Sequence, residues 1–109
     1  MTREALGEFE HQVLLGVLRQ GGRSYSAPIV MELEAATGRS VSPAAVFVAL
    51  RRLEQRGYVR STKREARVGE GGRGRRTFEL TPSGRSKLKE SRRTFEKLWS
   101  GTDLLGDRP

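Results

Sequence analysis

The most distinctive chemistry in this chain lies on residues 42–56, which read SPAAVFVALRRLEQR. Arg51, Arg52 and Gln55 carry donor groups of the kind that hydrogen-bond to guanine or adenine edges and to phosphates. At about 100° per residue, these three side chains lie opposite or beside the apolar face formed by Val46 and its neighbours. We therefore predict that this segment is a helix that reads DNA.

The boundaries of this helix are marked by local signals. Ser42 can cap the first turn, Pro43 has the backbone angle that the first helical position requires, and Gly57 suits the residue after the last turn. The first half of the helix carries small side chains, which suits insertion into a major groove about 12 Å wide. The residues of this half expected at the DNA are Ser42, Ala44, Ala45 and Val48. The alternative is an ordinary amphipathic helix whose arginine face is solvated.

Few other residues in the sequence suit catalysis or metal binding. The chain has no cysteine and a single histidine, His11, and no paired acidic residues lie in an apolar setting. General acid–base and nucleophilic mechanisms need such groups, so we predict no enzyme, no metal site and no cofactor. A lone helical histidine is more often a surface or capping residue, so His11 is assigned no chemistry.

The positive charge is concentrated in the second half of the chain. The net charge is +8, yet residues 1–50 hold four Lys and Arg against five Glu, while residues 51–100 hold sixteen against six. This asymmetry predicts a polyanionic partner, and nucleic acid fits better than a membrane because no long apolar face accompanies the basic residues. The longest apolar run, Val13 to Leu18, is far shorter than the roughly 20 residues of a membrane span. We expect a cytoplasmic protein.

Two further helices precede the recognition helix. Residues 6–20 have apolar side chains at helical spacing and end at Gly21 and Gly22. A second helix is predicted from Ser26, as its N-cap, to Thr37, and residues 21–24 are predicted to form the turn between the two. Only four residues, 39–42, then lead into the recognition helix, so the pair forms a helix-turn-helix.

A basic β-hairpin is predicted after Gly57. Residues 58–63 and 75–80 favour strands, and their glycine-rich connection over 68–74 is predicted to be mobile. We call these two strands and their connection the wing. The wing residues predicted to contact phosphates are Lys63, Arg73 and Arg75. The alternative is a hairpin whose basic residues are simply solvated.

A last helix is predicted over residues 83–100, after the start signal Thr81-Pro82. Its seam of Leu88, Ser91, Phe95, Leu98 and Trp99 has helical spacing, and we expect it to lack a partner within the chain. We therefore predict a homodimer contact. Its residues are Leu88, Phe95, Leu98 and Trp99.

The predicted fold class is α+β and mainly helical: a winged helix-turn-helix with a two-stranded basic wing and a C-terminal dimerisation helix. The DNA-binding domain is expected over residues 1–80, the dimerisation helix over 81–100, and a flexible tail over 101–109. The alternative is a winged helix that binds RNA or an acidic protein. A protein contact would require exposed apolar residues within the basic segment, and few are present there.

Three segments carry a resemblance to a known family. They are LGEFE at 6–10, SPAAVFVALRRLEQRGYV at 42–59 and GRGRRTFELTPSGR at 72–85. Together they resemble the PadR-like transcriptional regulators, in the short form with one C-terminal helix, over about residues 5–100. The family usually has Tyr where this chain has Phe47 and Gly where it has Ser26, so Phe47 is expected only to pack beside the DNA face.

The resemblance implies a homodimer held by the C-terminal helices and bound to double-stranded DNA at a pseudo-palindromic operator. The third helix would enter the major groove and the wing would lie near the minor groove, in most cases to repress transcription. Some relatives bind flat aromatic effectors between their C-terminal helices. Trp99 invites the same interpretation here, with simple interface packing as the alternative.

Overall fold

The computed structural model describes residues 5–64, 75–102 and 104. Within them the chain forms four helices and a three-stranded antiparallel sheet. The elements in chain order are α1 Glu8–Arg19, β1 Arg23–Ser24, α2 Ser26–Thr37, α3 Pro43–Gln55, β2 Val59–Arg64, β3 Arg75–Leu80 and α4 Pro82–Trp99. The predicted winged helix-turn-helix of the α+β class is confirmed. Across the described residues, no helix has the length and apolar character needed to cross a membrane.

The recognition helix α3 begins and ends where the local signals predict. The Ser42 hydroxyl accepts a hydrogen bond from the backbone N–H of Ala45 at 3.2 Å, and Pro43 is the first helical residue. Gly57 has φ +82°, a conformation that favours glycine. The same arrangement starts α4, where Thr81 accepts from the N–H of Gly84 at 3.0 Å.

The start of α2 differs from the prediction by one residue. Ser26 is already helical, and Tyr25 is the N-cap, with φ −80° and ψ 167° and no side-chain hydrogen bond. The prediction that Ser26 caps this helix is therefore wrong. Tyr25 is still extended because it directly follows β1, and its ring lies 5.0 Å from the guanidinium carbon of Arg75 on β3.

The sheet contains one strand that the sequence does not reveal. Its order is β1-β3-β2, with Arg23 opposite Glu79 and Ser24 opposite Phe78. The turn predicted over residues 21–24 is thus partly wrong, since β1 covers one edge of β3. Two residues are too few to show an alternating pattern, and the backbone N–H of Leu80 extends the pairing by donating to the Gly22 carbonyl at 2.8 Å.

The hydrophobic core lies between the three N-terminal helices and the inner face of the sheet. Leu14, Leu33 and Leu50, one from each of these helices, are all buried, and Phe78 is the largest fully buried side chain. At Gly16 a Cβ would lie 2.9 Å from Cγ2 of Ile29, so this glycine permits the close approach of α1 and α2. The same core closes the inner side of α3 and leaves the other side of that helix exposed.

The first half of α4 packs against the rest of the chain. Leu88 is only 6% exposed and belongs to the core, and the Ser91 hydroxyl lies 3.1 Å from Nδ1 of His11 on α1. The expectation that the whole seam lacks a partner within the chain is wrong for these two residues. Helical spacing identifies the apolar side of α4, but it cannot tell how much of that side is covered by α1.

His11 is therefore more than a surface residue. It is partly buried between α1 and α4, and its ring centroid lies 6.4 Å from that of Phe95. Burial lowers the pKa of His11 below its ordinary value of 6.5, because desolvation disfavours the charged imidazolium.

The lowered pKa of His11 predicts a pH dependence of folding stability. Below about pH 6.5 the unfolded chain binds a proton more readily than the folded chain, so the free energy of unfolding should fall as the pH drops through this value. The fall should stop below the folded-state pKa. Urea unfolding between pH 5.5 and 8 measures it, and His11→Gln should remove this part of the dependence; an unchanged profile in that variant would contradict the assignment.

Candidate nucleic-acid interface

The outer face of α3 displays the predicted DNA-binding residues together. Val46, Leu50 and Leu53 turn inward and are fully buried, which fixes the rotation of the helix. All seven residues predicted for α3 and its cap are exposed: Ser42, Ala44, Ala45, Val48, Arg51, Arg52 and Gln55. Ala49, another small residue of α3, is buried against the core at 4% exposure. This face of α3 carries small side chains at its N-terminal end and basic side chains at its C-terminal end.

The two arginines on this face differ in their surroundings. Nη1 of Arg51 lies 3.2 Å from Oε1 of Glu54, one turn further along the helix. Arg52 is exposed and has no ion pair within the described part of the chain. A guanidinium has five N–H donors, so the pair with Glu54 leaves others of Arg51 free for a base or a phosphate.

Phe47 supports this face from the side of the sheet. Its ring is 42% exposed and meets the buried ring of Phe78 edge to face, with 6.1 Å between the centroids. This contact joins α3 to β3 and agrees with the expectation that Phe47 packs beside the DNA face.

The wing presents cations close to one another. Across the β2–β3 ladder, Lys63 stands opposite Arg76 and Arg64 opposite Arg75. Like charges placed directly opposite in a sheet destabilise the pair, so this end of the hairpin is suited to an anionic partner. Lys63 and Arg75 are exposed, whereas Arg73 and the predicted mobile connection lie outside the described residues.

A polar network that sequence analysis missed joins α3 to the wing. The Ser61 hydroxyl on β2 donates to Oε2 of Glu54 at 2.5 Å, and Nη1 of Arg76 on β3 donates to Ser61 Oγ at 2.8 Å. No sequence motif announces this contact, because the three side chains are separated along the chain. The strand register alone indicates it, since Ser61 lies on the same face as Arg76 and the buried Phe78.

The second half of α4 leaves its apolar residues uncovered. Phe95 is 52% exposed, Leu98 67% and Trp99 46%, and on α1 Leu15 and Leu18 are also exposed. A groove of about 620 Å³ runs between the two helices. Its lining consists of His11, Leu15, Leu18, Arg85, Leu88, Lys89, Arg92, Phe95, Glu96 and Trp99. The lining therefore combines apolar side chains from both helices with charged side chains that are mostly basic.

Comparison of the sequence with protein families agrees with this arrangement. The model of the transcriptional regulator PadR-like family matches residues 14–90, which span α2, α3, both wing strands and parts of α1 and α4. The chain belongs to the PadR-like family. It is thus a DNA-binding regulator of transcription and not an enzyme.

Solved structures with the same fold include other PadR-like proteins. A PadR family regulator from Eggerthella lenta has 23% identity and a TM-score of 0.68, covering 88% of this chain and 82% of its own. A PadR-like regulator from Bacillus cereus has 16% identity and a TM-score of 0.68, covering 93% of each chain. F93 from STIV, a winged-helix DNA-binding protein, has 16% identity and a TM-score of 0.63, covering 84% of this chain and 90% of its own. A search of curated proteins gives no significant match.

As in other DNA-binding proteins, arginines that reach base edges or well-fixed phosphates should contribute strongly to affinity. We expect Arg51→Ala and Arg52→Ala each to weaken binding to a selected site by about 1 to 3 kcal/mol. Folding should barely change, because both side chains are exposed. Quantitative binding to the selected duplex measures this effect, and a double variant that binds like the wild type would remove α3 from the interface.

The wing of this PadR-like chain should contribute mainly sequence-independent affinity, since cations near phosphates release counterions without reading bases. Replacing Lys63, Arg73 and Arg75 by Ala should reduce the slope of log affinity against log salt by roughly 2 to 3 units, at about 0.9 per lost contact. Titrations between 50 and about 200 mM salt measure the slope. An unchanged slope would place the wing away from DNA.

Proposed function

We propose that this PadR-like protein is a cytoplasmic homodimeric repressor that binds a pseudo-palindromic operator in double-stranded DNA. The single observation that carries the proposal is the exposed face of α3, small at one end and basic at the other, beside a wing whose cations stand opposite one another. In this arrangement α3 enters the major groove, and the wing lies along the backbone near the minor groove. Residues 1–80 supply the DNA contacts and the helix over 81–100 supplies the dimer contact.

The dimer proposal is supported by the uncovered apolar residues of α4. Phe95, Leu98 and Trp99 are too exposed and too close together to be explained by scattered surface residues, and contiguous patches of this kind usually mark contacts. Within the described part of the chain, about half or more of each of these side chains is left uncovered. A second copy related by a two-fold axis would place the same patch against itself. Leu88 is already buried within the chain, so it contributes least to this contact.

Selection of bound sites from random duplexes tests the proposal. The expected result is a site with dyad symmetry whose half-sites are about 34 Å apart, one helical turn of DNA. Recovery of sites without symmetry would contradict the dimeric operator. Failure to select any duplex, together with binding to RNA or to an acidic protein, would favour a different role for the winged helix.

We also propose that the α1–α4 groove holds a small aromatic effector. Its support is the groove itself, whose lining includes the rings of Phe95 and Trp99 and the cationic side chain of Arg92. Trp99 is the only tryptophan, so its fluorescence reports directly on the groove. Titration with flat aromatic acids should change this fluorescence, and Phe95→Ala should weaken the effect more than Leu98→Ala, since Leu98 does not line the groove. Equal effects of the two variants would contradict the site.

A further inference from the structure

We propose that Glu54 is a positioning residue that holds the recognition helix α3 and the wing in one fixed arrangement for reading DNA. The inference rests on the DNA-binding role proposed above, and it gives a role to an acidic side chain that lies at the junction of two basic surfaces. An acidic residue in this position repels the DNA phosphates. Glu54 can therefore favour DNA binding only if another effect outweighs this repulsion.

The two carboxylate oxygens of Glu54 face different elements. Oε1 lies 3.2 Å from Nη1 of Arg51 on α3 itself, while Oε2 accepts a hydrogen bond from the hydroxyl of Ser61 on β2. Ser61 Oγ in turn accepts a hydrogen bond from Nη1 of Arg76 on β3, at 2.8 Å. A continuous chain of contacts therefore runs from the recognition helix through the carboxylate into both strands of the wing.

This series of contacts from Arg51 to Arg76 lies at the edge of the hydrophobic core. The Glu54 side chain is only 28% exposed, and Ser61 and Arg76 are half-buried. Ser61 stands directly opposite the buried Phe78 in the strand ladder. Water is partly excluded there, so each bond restrains its partners more than an exposed pair would. The contacts thus fix the angle between α3 and the wing strands in addition to the hydrophobic packing below them.

Fixing these side chains before DNA arrives should favour the correct site over other DNA. Non-specific binding depends on net charge and tolerates many arrangements of the cations. Base reading instead requires donors at defined positions, and donors held in place before binding lose less conformational freedom. Glu54 is therefore expected to lower the affinity for non-specific DNA through its charge and to raise the preference for the operator through the orientation of Arg51.

Two variants separate position from charge, and a third serves as a control. Glu54→Gln removes the charge and keeps the size of the side chain. Ser61→Val keeps every charge but removes the hydroxyl that links α3 to the wing. Glu79→Gln removes one negative charge from the same hairpin, where Glu79 pairs with Arg60 at 3.2 Å and has no described contact with α3.

The measured quantity is the ratio of affinity for the selected operator to affinity for a scrambled duplex. Both Glu54→Gln and Ser61→Val should lower this ratio roughly tenfold, the lower end of what one well-placed base contact contributes. Of these two variants, only Glu54→Gln should also tighten binding to the scrambled duplex, as Glu79→Gln should through the same loss of negative charge. Glu79→Gln should leave the ratio unchanged.

Nitrogen-15 spectra of the arginine side chains in the free protein supply a readout that does not depend on DNA. The guanidinium protons of Arg76 should be protected from exchange in the wild type and in Glu79→Gln, and exposed to it in Ser61→Val, which removes their acceptor. Glu54→Gln should reduce the protection less, because its amide oxygen can still accept a hydrogen bond from the Ser61 hydroxyl. If protection were equal in all four proteins, the link between α3 and the wing would be refuted.

The outcomes also distinguish this inference from the proposed function. A wild type that selects no operator would overturn the proposed function and this inference with it. A selective wild type whose ratio is unchanged in Glu54→Gln and Ser61→Val would overturn the inference alone. An equal drop in Glu79→Gln would show that charge, and not position, determines the preference.

Discussion

Phe95→Asp is expected to convert the protein into monomers and to abolish operator binding. About half of this side chain is exposed, so its loss from a dimer contact costs about 1 to 1.5 kcal/mol per protomer. A carboxylate enclosed in the contact adds several kcal/mol more. In a dimer with two-fold symmetry the substitution is present in both protomers, so its cost applies twice. The dissociation constant of the dimer should therefore rise by at least about 10³.

Operator binding should fail together with the dimer. Two half-sites require two recognition helices held at a fixed spacing, and a monomer loses the linked second contact. Sedimentation at tens of micromolar measures the oligomeric state, and binding to the selected duplex measures the coupling. Arg93→Gln is the matched control, since it lowers the net charge by the same amount on the other side of α4. A wild type that sediments as a monomer would refute the dimer and the argument for a palindromic site.

Gly84→Ala is expected to have the largest effect on stability. Gly84 is buried in the first turn of α4, and a Cβ there would overlap the carbonyl oxygen of Tyr58 and crowd Leu80. Backbone cannot move aside as the end of a flexible side chain can, so α4 would have to shift. The cost should be roughly 3 kcal/mol, which corresponds to a fall in Tm of about 12 to 24 °C.

Gly7→Ala is the matched control for this substitution. Gly7 has φ −62°, and a Cβ there would meet only the Glu10 side chain, at an ordinary van der Waals distance of 3.6 Å. Its effect on the free energy of unfolding should stay within about 0.5 kcal/mol. Thermal unfolding followed by circular dichroism compares the two variants. Equal Tm values would show that the first turn of α4 does not pack against the backbone of Tyr58.

The sequence predicted those elements whose signals are local. The ends of α3 depend on Ser42, Pro43 and Gly57, each of which acts within a few residues of itself, and the start of α4 depends on the same kind of signal. The rotation of α3 was also predictable, because helical spacing separates Val46 and Leu50 from the exposed face. The boundaries and orientation of the recognition helix therefore needed no tertiary information.

The features that sequence missed all depend on contacts between distant segments. The strand β1 exists because residues 23 and 24 meet the far edge of β3, and nothing in those two residues announces it. The helical spacing of Leu88 relative to Phe95 predicts an interface residue, whereas only the placement of α1 shows that Leu88 is buried. The link from Glu54 to the wing likewise depends on strand register, which a short basic hairpin does not reveal.

The division of α4 into an embedded half and a projecting half gives the helix a mechanical property. Leu88 and Gly84 anchor one end in the core, while Phe95 and Trp99 stand beyond it. Eighteen helical residues span about 27 Å, so each degree of tilt at the anchored end moves the far end by about 0.5 Å. In a dimer joined at the far ends, α4 acts as a lever. A few degrees of tilt would change the separation of the two recognition helices by ångströms, enough to put one of them out of step with its half-site.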